Sequence, residues 1–189
     1  KIDVELFNNG PIGEINLSRA YLDKVYLINN ISQSMKDNLV LVRCGKSSLH
    51  SNWISKESNY DLILLPYTEI DQKLDEQVQV MPVVAGQKWP AIYAFCLSNL
   101  NIIANYEYIF MPDDDLLCTF DVINKLFELV HHDKPAIAQP SLSHSSYFSH
   151  FITLQFPGLY ARETSFVEIM APVFHREFLM NAFWTINQN

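Results

Sequence analysis

Positive charge is scarce in this 189-residue sequence: 13 Lys and Arg stand against 21 Asp and Glu, the formal net charge is -8, and the basic residues form no cluster. That removes the electrostatic footprint by which proteins hold phosphate backbones irrespective of sequence, so nucleic acid is not expected as a partner. Cysteine is equally sparse. Cys44, Cys96 and Cys118 are widely spaced and make no Cys-x-x-Cys pair, which argues against a zinc or dithiol centre and for buried thiols in a reducing compartment. No apolar run reaches the roughly 18 to 20 residues of a membrane-spanning helix, because Asn, Asp, Lys or Pro interrupts each one. The expected location is cytoplasmic, with peripheral association at the inner face of the membrane left open. Repeats, low-complexity tracts and linker-like stretches are missing too, so a single domain over residues 1–189 is expected. What is abundant is apolar material: 49% hydrophobic and 13% aromatic residues against 18% charged suffice for a sizeable core and exclude disorder as the main state.

Short apolar runs alternate with segments of helical period, the pattern of an α/β domain with a largely parallel sheet flanked by helices. Strands are expected at Val25–Ile28, Leu39–Arg43, Asp61–Leu65 and Val78–Val84, the last interrupted or placed at an edge by Pro82. Trp89 to about Ile103 reads as one helix, and Tyr106–Met111 as a buried strand closed by Pro112. Phe120, Ile123, Phe127 and Val130 repeat at helical spacing, with Asp121 at the start and His131 and His132 at the end, as the helix dipole prefers. Further strands are expected at Ala136–Gln139, Phe151–Phe156 and Phe166–Met170, a polar loop at Ser141–His150, and a last helix at Phe174–Ile186.

The chemistry concentrates at Asp113, Asp114 and Asp115, directly after a buried strand. Three adjacent carboxylates repel one another unless a cation or strong donors balance them. A hard divalent ion, Mg²⁺ or Mn²⁺, with coordination positions left for substrate phosphates, meets that need, and strand carboxyl ends are where open α/β sheets bind ligands. The plain alternative is a solvated turn or helix cap. Haloacid-dehalogenase-type phosphatases use such a strand end, but their Asp-x-Asp is followed two positions on by Thr or Val, where this chain has Leu117, and no Asp follows Asp133 to form their late acidic pair. In GT-A glycosyltransferases an Asp-x-Asp at this place holds a metal that bridges a nucleotide sugar's diphosphate.

Other segments offer partial signals. Gly45-Lys46-Ser47 fails as a P-loop because position 40 is Val40 and not glycine; a glycine turn at a strand end remains, suited to a nucleotide or to an ordinary turn. Gly86-Gln87-Lys88-Trp89 opens a helix, where backbone N–H groups and Lys88 suit a phosphate as well as they suit a surface position. Glu168 is the one acid in the apolar run Phe166–Pro172; it pairs, protonates or faces a cleft, unless the strand turns it to solvent. His50 and His175 lie beside candidate motifs, whereas the other histidines read as structural or surface groups. Trp53 and Trp89 are available for stacking on a base or sugar, or for core packing.

Several segments together resemble one family. Val42-Arg43-Cys44-Gly45 through Ser48-Leu49-His50 and Trp53, Tyr60-Asp61-Leu62 through Pro66-Tyr67, Gly86-Gln87-Lys88, Tyr108 through Leu116, Gln139-Pro140, Phe166 through Phe174, and Trp184 with Ile186-Asn187-Gln188-Asn189 are similar to a family of uncharacterised glycosyltransferase-like proteins of bacteria and plants. The resemblance covers about positions 39 to 189, and Val-Glu-Ile-Met-Ala-Pro-Val-Phe is its most specific stretch. It implies a GT-A-like, Rossmann-like domain that moves a sugar from a nucleotide-sugar donor to a hydroxyl acceptor, in bacterial lipopolysaccharide or capsule synthesis, with Mn²⁺ or Mg²⁺. Asp113 and Asp115 would hold the metal and Asp114 would face ribose or donor sugar. Gly45, Ser48 and His50 would line the nucleotide pocket with Asp61 in support, and Lys88 would face phosphate. Glu168 would be the acceptor base, or a sugar-positioning carboxylate if configuration is retained. The family pattern continues past Asn-Gln-Asn into an Asp/Trp/Gly-rich segment, so a C-terminally truncated domain is expected. A catalytically idle glycan- or nucleotide-binding module, and a metal-dependent phosphatase, are the alternatives.

Overall fold

Asn38–Cys44 forms β1, a strand buried along its whole length. Its central place explains why a continuous apolar run stands here in place of alternation: both faces and both edges are covered. The computed structural model describes residues 36–70 and 78–186; the strand expected at Val25–Ile28 lies outside them. β2 (Asp61–Pro66) pairs parallel to β1, and β3 (Val78–Val80) parallel to β2. The chain then returns through α1 (Lys88–Ser98) and the single turn α2 (Leu100–Ile103) to β4 (Tyr108–Phe110), parallel to β1 on its other side. After α3 (Phe120–Asp133) come β5 (Ile137–Ala138), β6 (Val173–His175) and α4 (Arg176–Ile186). The six strands lie in the order β3-β2-β1-β4-β6-β5, and β6 alone runs opposite in direction to the other five. A mixed, mostly parallel sheet with helices on both faces is thus the architecture of the described residues.

The two faces follow the period of two along each strand. Leu39, Leu41, Ile63 and Ile109 join Ile92, Phe95 and Leu179 of α1 and α4 in one core. Val40, Val42, Leu62, Leu64 and Phe110 meet Ile123, Phe127 and Val130 of α3 in the other. Each such side chain, taken fully out of water, stabilises the fold by about 1.5–3 kcal/mol. Lys134 ends α3 in the left-handed region at φ 51°, its N–H bonding to the Val130 carbonyl.

Three expectations need correction. The helix expected over Trp89–Ile103 is broken at Asn99, whose buried side-chain amide donates to the Phe95 carbonyl at 2.8 Å and takes over a backbone partner. Phe151–Phe156 is not a strand but a single 3-10 turn, Phe151–Thr153, followed by extended chain; Phe151 and Phe156 are exposed, so no core face draws the run into the sheet. Phe166–Met170 is likewise loop, and the strand begins three residues later at Val173. This loop still follows β4: Met111 N–H reaches the Pro172 carbonyl at 2.9 Å and Asp113 N–H the Met170 carbonyl at 2.7 Å. The antiparallel pairing of β4 with β6 therefore runs on past the end of both strands, in the same register, to the first Asp of the triplet.

Among the described residues no helix is long and apolar enough to cross a membrane.

Candidate functional site

Strand order reverses at β1: the chain moves outward to β2 and β3, then comes back to place β4 on the opposite side. Such a reversal leaves a crevice beyond the carboxyl ends of the two central strands. Gly45 follows β1 and Asp113–Asp115 follow β4, so the topology alone brings glycine turn and acidic triplet together. The joint is made of specific bonds. Gly45 N–H donates to Asp114 Oδ2 at 2.8 Å, and Leu49 N–H to the Asp114 carbonyl at 2.7 Å. Asp114 thus fastens the 45–49 loop through its side chain and its backbone. Tyr67, just past β2, adds a hydroxyl that donates to the same Oδ2 at 3.3 Å. A Cβ on residue 45 would lie 2.4 Å from the Tyr67 ring, so any side chain there displaces the tip of Tyr67.

Arg43 organises the neighbouring wall. Its position in β1 puts the guanidinium at the carboxyl edge, where it is 4% exposed and donates to the carbonyls of Leu65, Pro66, Val84 and Gly86. It also lies 5.6 Å from the centre of the Tyr67 ring. One side chain therefore ties the end of β2 to the loop that enters α1. Gly86 in that loop has φ 132°, a conformation that L side chains rarely adopt. Two residues later Lys88 begins α1 and points back across the strand ends. Its Nζ donates to Asp113 Oδ1 at 2.6 Å and to the carbonyls of Ile169 and Met170 at 3.0 and 3.4 Å.

Arg43, Tyr67, Gly86, Lys88, Asp113 and Asp114 line a cavity of about 180 Å³. This is the scale of a phosphate-bearing end of a ligand and smaller than a whole drug-sized pocket. The electrostatics follow from burial. Desolvation lowers the pKa of Lys88, with Asp113 opposing it. Burial and the Asp114 carboxylate raise that of Tyr67, and the same two causes push the Cys44 thiol up to about 12. Cys44 is accordingly an unreactive thiol, as are buried Cys96 and half-buried Cys118.

The expected site residues separate into groups. Lys88, Asp113 and Asp114 line the cavity, and Gly45 stands behind Asp114. Asp115 is exposed on the same turn. Ser48 and His50 do not line the cavity: His50 is 1% exposed, with Nδ1 2.6 Å from Ser48 Oγ, and Ser48 Oγ lies 3.4 Å from the Asp114 carbonyl. They brace the loop from beneath. Asp61 is a correction. It opens β2 at the amino edge of the parallel sheet, opposite the crevice, and accepts from the Lys36 N–H and the Tyr106 hydroxyl, each at 3.0 Å. Glu168 sits on the loop that Lys88 tethers; its N–H donates to Gln139 Oε1 at 2.5 Å, and its Oε2 is buried without a hydrogen-bond partner. Trp53 is wholly buried and cannot stack on a ligand, while Trp89 packs edge-on against Phe174. His175 packs edge-on against Tyr108 of β4. Arg43 and Tyr67 are the site residues that spacing did not single out.

Among the described residues no group of three or more His, Cys, Asp or Glu side chains is gathered for a metal ion. The donor set fits a more modest site. Asp113 lines the cavity and Asp115 is exposed two residues on, whereas Asp114 Oδ2 is committed to Gly45 and Tyr67. One or two carboxylates completed by ligand phosphates is the ordinary way of holding Mg²⁺.

Fold and crevice define a class, an α/β domain with a small cavity lined by charged and polar side chains at the switch point of its sheet. Within that class, residues 51–161 match the model of a family described as protein of unknown function (DUF707), and the match covers more than half of the chain. The chain belongs to this family. No curated protein matches it.

Proposed function

We propose that this domain is a GT-A-like glycosyltransferase that binds a nucleotide-sugar donor at the carboxyl edge of its sheet and passes the sugar to a hydroxyl of a cytoplasmic surface-glycan precursor. The observation that carries the reading is the junction of the Gly45 turn with Asp114 at the strand-order reversal, beside a cavity bounded by Arg43 and Lys88. Acidic, basic and backbone donor groups converge there from four different segments, as a diphosphate site requires.

Lys88, at the start of α1, holds donor phosphate. Arg43 acts at one remove, fixing Gly86 and so the approach to Lys88. Asp114 keeps the glycine turn in place against the nucleotide. Asp113 and Asp115 would hold a divalent cation, whose charge, when bound, offsets the negative charge growing on the departing nucleoside diphosphate. Glu168 takes the proton from the acceptor hydroxyl if configuration inverts. Its Oε2, buried without a hydrogen-bond partner on the loop that Lys88 tethers, supports that role as an acceptor left open for a hydroxyl hydrogen bond.

The test is incubation with UDP-, GDP- and CMP-linked sugars in the presence of Mn²⁺, with release of free nucleotide as the readout. The proposal expects release from one nucleotide class, accelerated by a glycan acceptor. Phosphate release from simple phosphomonoesters, with every nucleotide sugar left intact, would overturn it in favour of a phosphatase.

A further inference from the structure

Lys88 is engaged in a way that conflicts with the use of Asp113 as a metal ligand. An ammonium has three protons to donate, and three acceptors surround this one: Asp113 Oδ1 and the carbonyls of Ile169 and Met170. The Lys88 side chain is 15% exposed and that of Asp113 40%, so the pair sits at the cavity wall and not in open solvent. Asp114 is less available than its neighbour, because its Oδ2 already accepts from Gly45 and Tyr67.

We propose that Lys88 is a competitor of the divalent cation for Asp113, so that metal binds weakly until donor phosphates draw the ammonium off the carboxylate. The proposal rests on reading the crevice as a metal and nucleotide site. Two cations at one carboxylate repel each other, and partial burial keeps that repulsion from being fully screened. A phosphate entering the cavity presents the ammonium with a new anionic acceptor, which leaves Asp113 to the metal. The same exchange removes the Lys88 donor from the Ile169 carbonyl, while Met170 keeps its bond from the Asp113 N–H. Metal entry is thereby linked to the loop that carries Glu168.

The experiment is Mn²⁺ binding by electron paramagnetic resonance, first without nucleotide and then with UDP, GDP or CMP, on the full chain and its Lys88→Met and Lys88→Arg variants. Lys88→Met is expected to bind Mn²⁺ about tenfold more tightly than the parent, and Lys88→Arg no more tightly. Equal affinity of parent and folded Lys88→Met overturns the competition while leaving the metal site standing. Failure of all three proteins to bind Mn²⁺, with UDP, GDP or CMP present or absent, overturns the metal site and the competition with it. Should Lys88→Met not fold, acylation of Lys88 in the parent decides, read by mass spectrometry. Faster labelling on adding Mg²⁺ supports displacement from Asp113; unchanged labelling contradicts it.

Discussion

The two ends of the sheet each carry a carboxylate among tyrosine and basic groups, yet they are built to opposite purposes. At the amino edge, Asp61 is 9% exposed and its Oδ2 accepts from Lys36 and Tyr106; close by, the Lys36 ammonium donates to the carbonyls of Ser58 and Tyr60. Beside it Asn38 joins the Asn59 carbonyl to His131. These groups bond to one another, and none of them lines the carboxyl-edge cavity. At the carboxyl edge Asp113, Asp114 and Lys88 also bond to one another, but across the wall of an open cavity, with Asp115 exposed next to them. A buried acid is thus no sign of function in itself; what distinguishes the carboxyl edge is charge left within reach of a ligand.

Substitution at the carboxyl edge should separate function from stability most sharply. Asp115→Asn is expected to lower sugar transfer by about 10²–10³-fold with little change in melting temperature, because the side chain is exposed; turnover and melting of the same preparation check both. At the amino edge the pattern inverts. Asp61→Ala leaves the Tyr106 hydroxyl and the Lys36 N–H without their acceptor and should cost about 1–3 kcal/mol in urea unfolding, with nucleotide binding unchanged. A nucleotide-binding loss in Asp61→Ala as large as in Asp115→Asn would erase the contrast.

A smaller effect is expected from pH. Burial raises the Asp61 pKa, with Lys36 and Tyr106 pulling the other way. Because the folded value exceeds the unfolded one of about 3.9, the contribution of the protonated acid is complete below that value. It fades as pH rises through the folded pKa. The stability of the parent relative to Asp61→Asn should therefore be greatest at acid pH and decline towards neutrality, which urea titrations across that range check. The smallest effect belongs to Gly45→Ala. The new Cβ displaces the exposed tip of Tyr67, for about 1 kcal/mol or less, and breaks its bond to Asp114; a weaker nucleotide-induced shift with near-parental melting is the expected signature.

Much of this contrast was legible in the sequence, because parallel strands and the amphipathic α3 leave periodic signals. The Asp113–Asp115 triplet was placed at a strand end by the apolar run before it, and Pro112 marked the stop. The resemblance gives Asp61 a supporting role at the nucleotide pocket, but Asp61 opens β2, and the direction of that strand puts it at the edge opposite the crevice. Phe166–Met170 reads as a strand because it is mostly apolar, yet only Met170 of this segment carries on the pairing beside β4. Arg43 carries no spacing signal at all: its importance comes from the Val84–Gly86 loop returning over β1, a contact some forty residues away in sequence.

The central claim is that the carboxyl-edge crevice is a metal-assisted nucleotide site, and thermal melting of the protein with UDP, GDP or CMP, each with and without Mn²⁺, tests it most directly. Binding to the folded state alone raises stability by RT ln(1 + [L]/Kd), about 2.7 kcal/mol at a hundredfold excess over Kd. The account predicts a rise for one nucleotide that needs Mn²⁺ and disappears in Asp113→Asn. The absence of a shift with any nucleotide, with or without the metal, would contradict it.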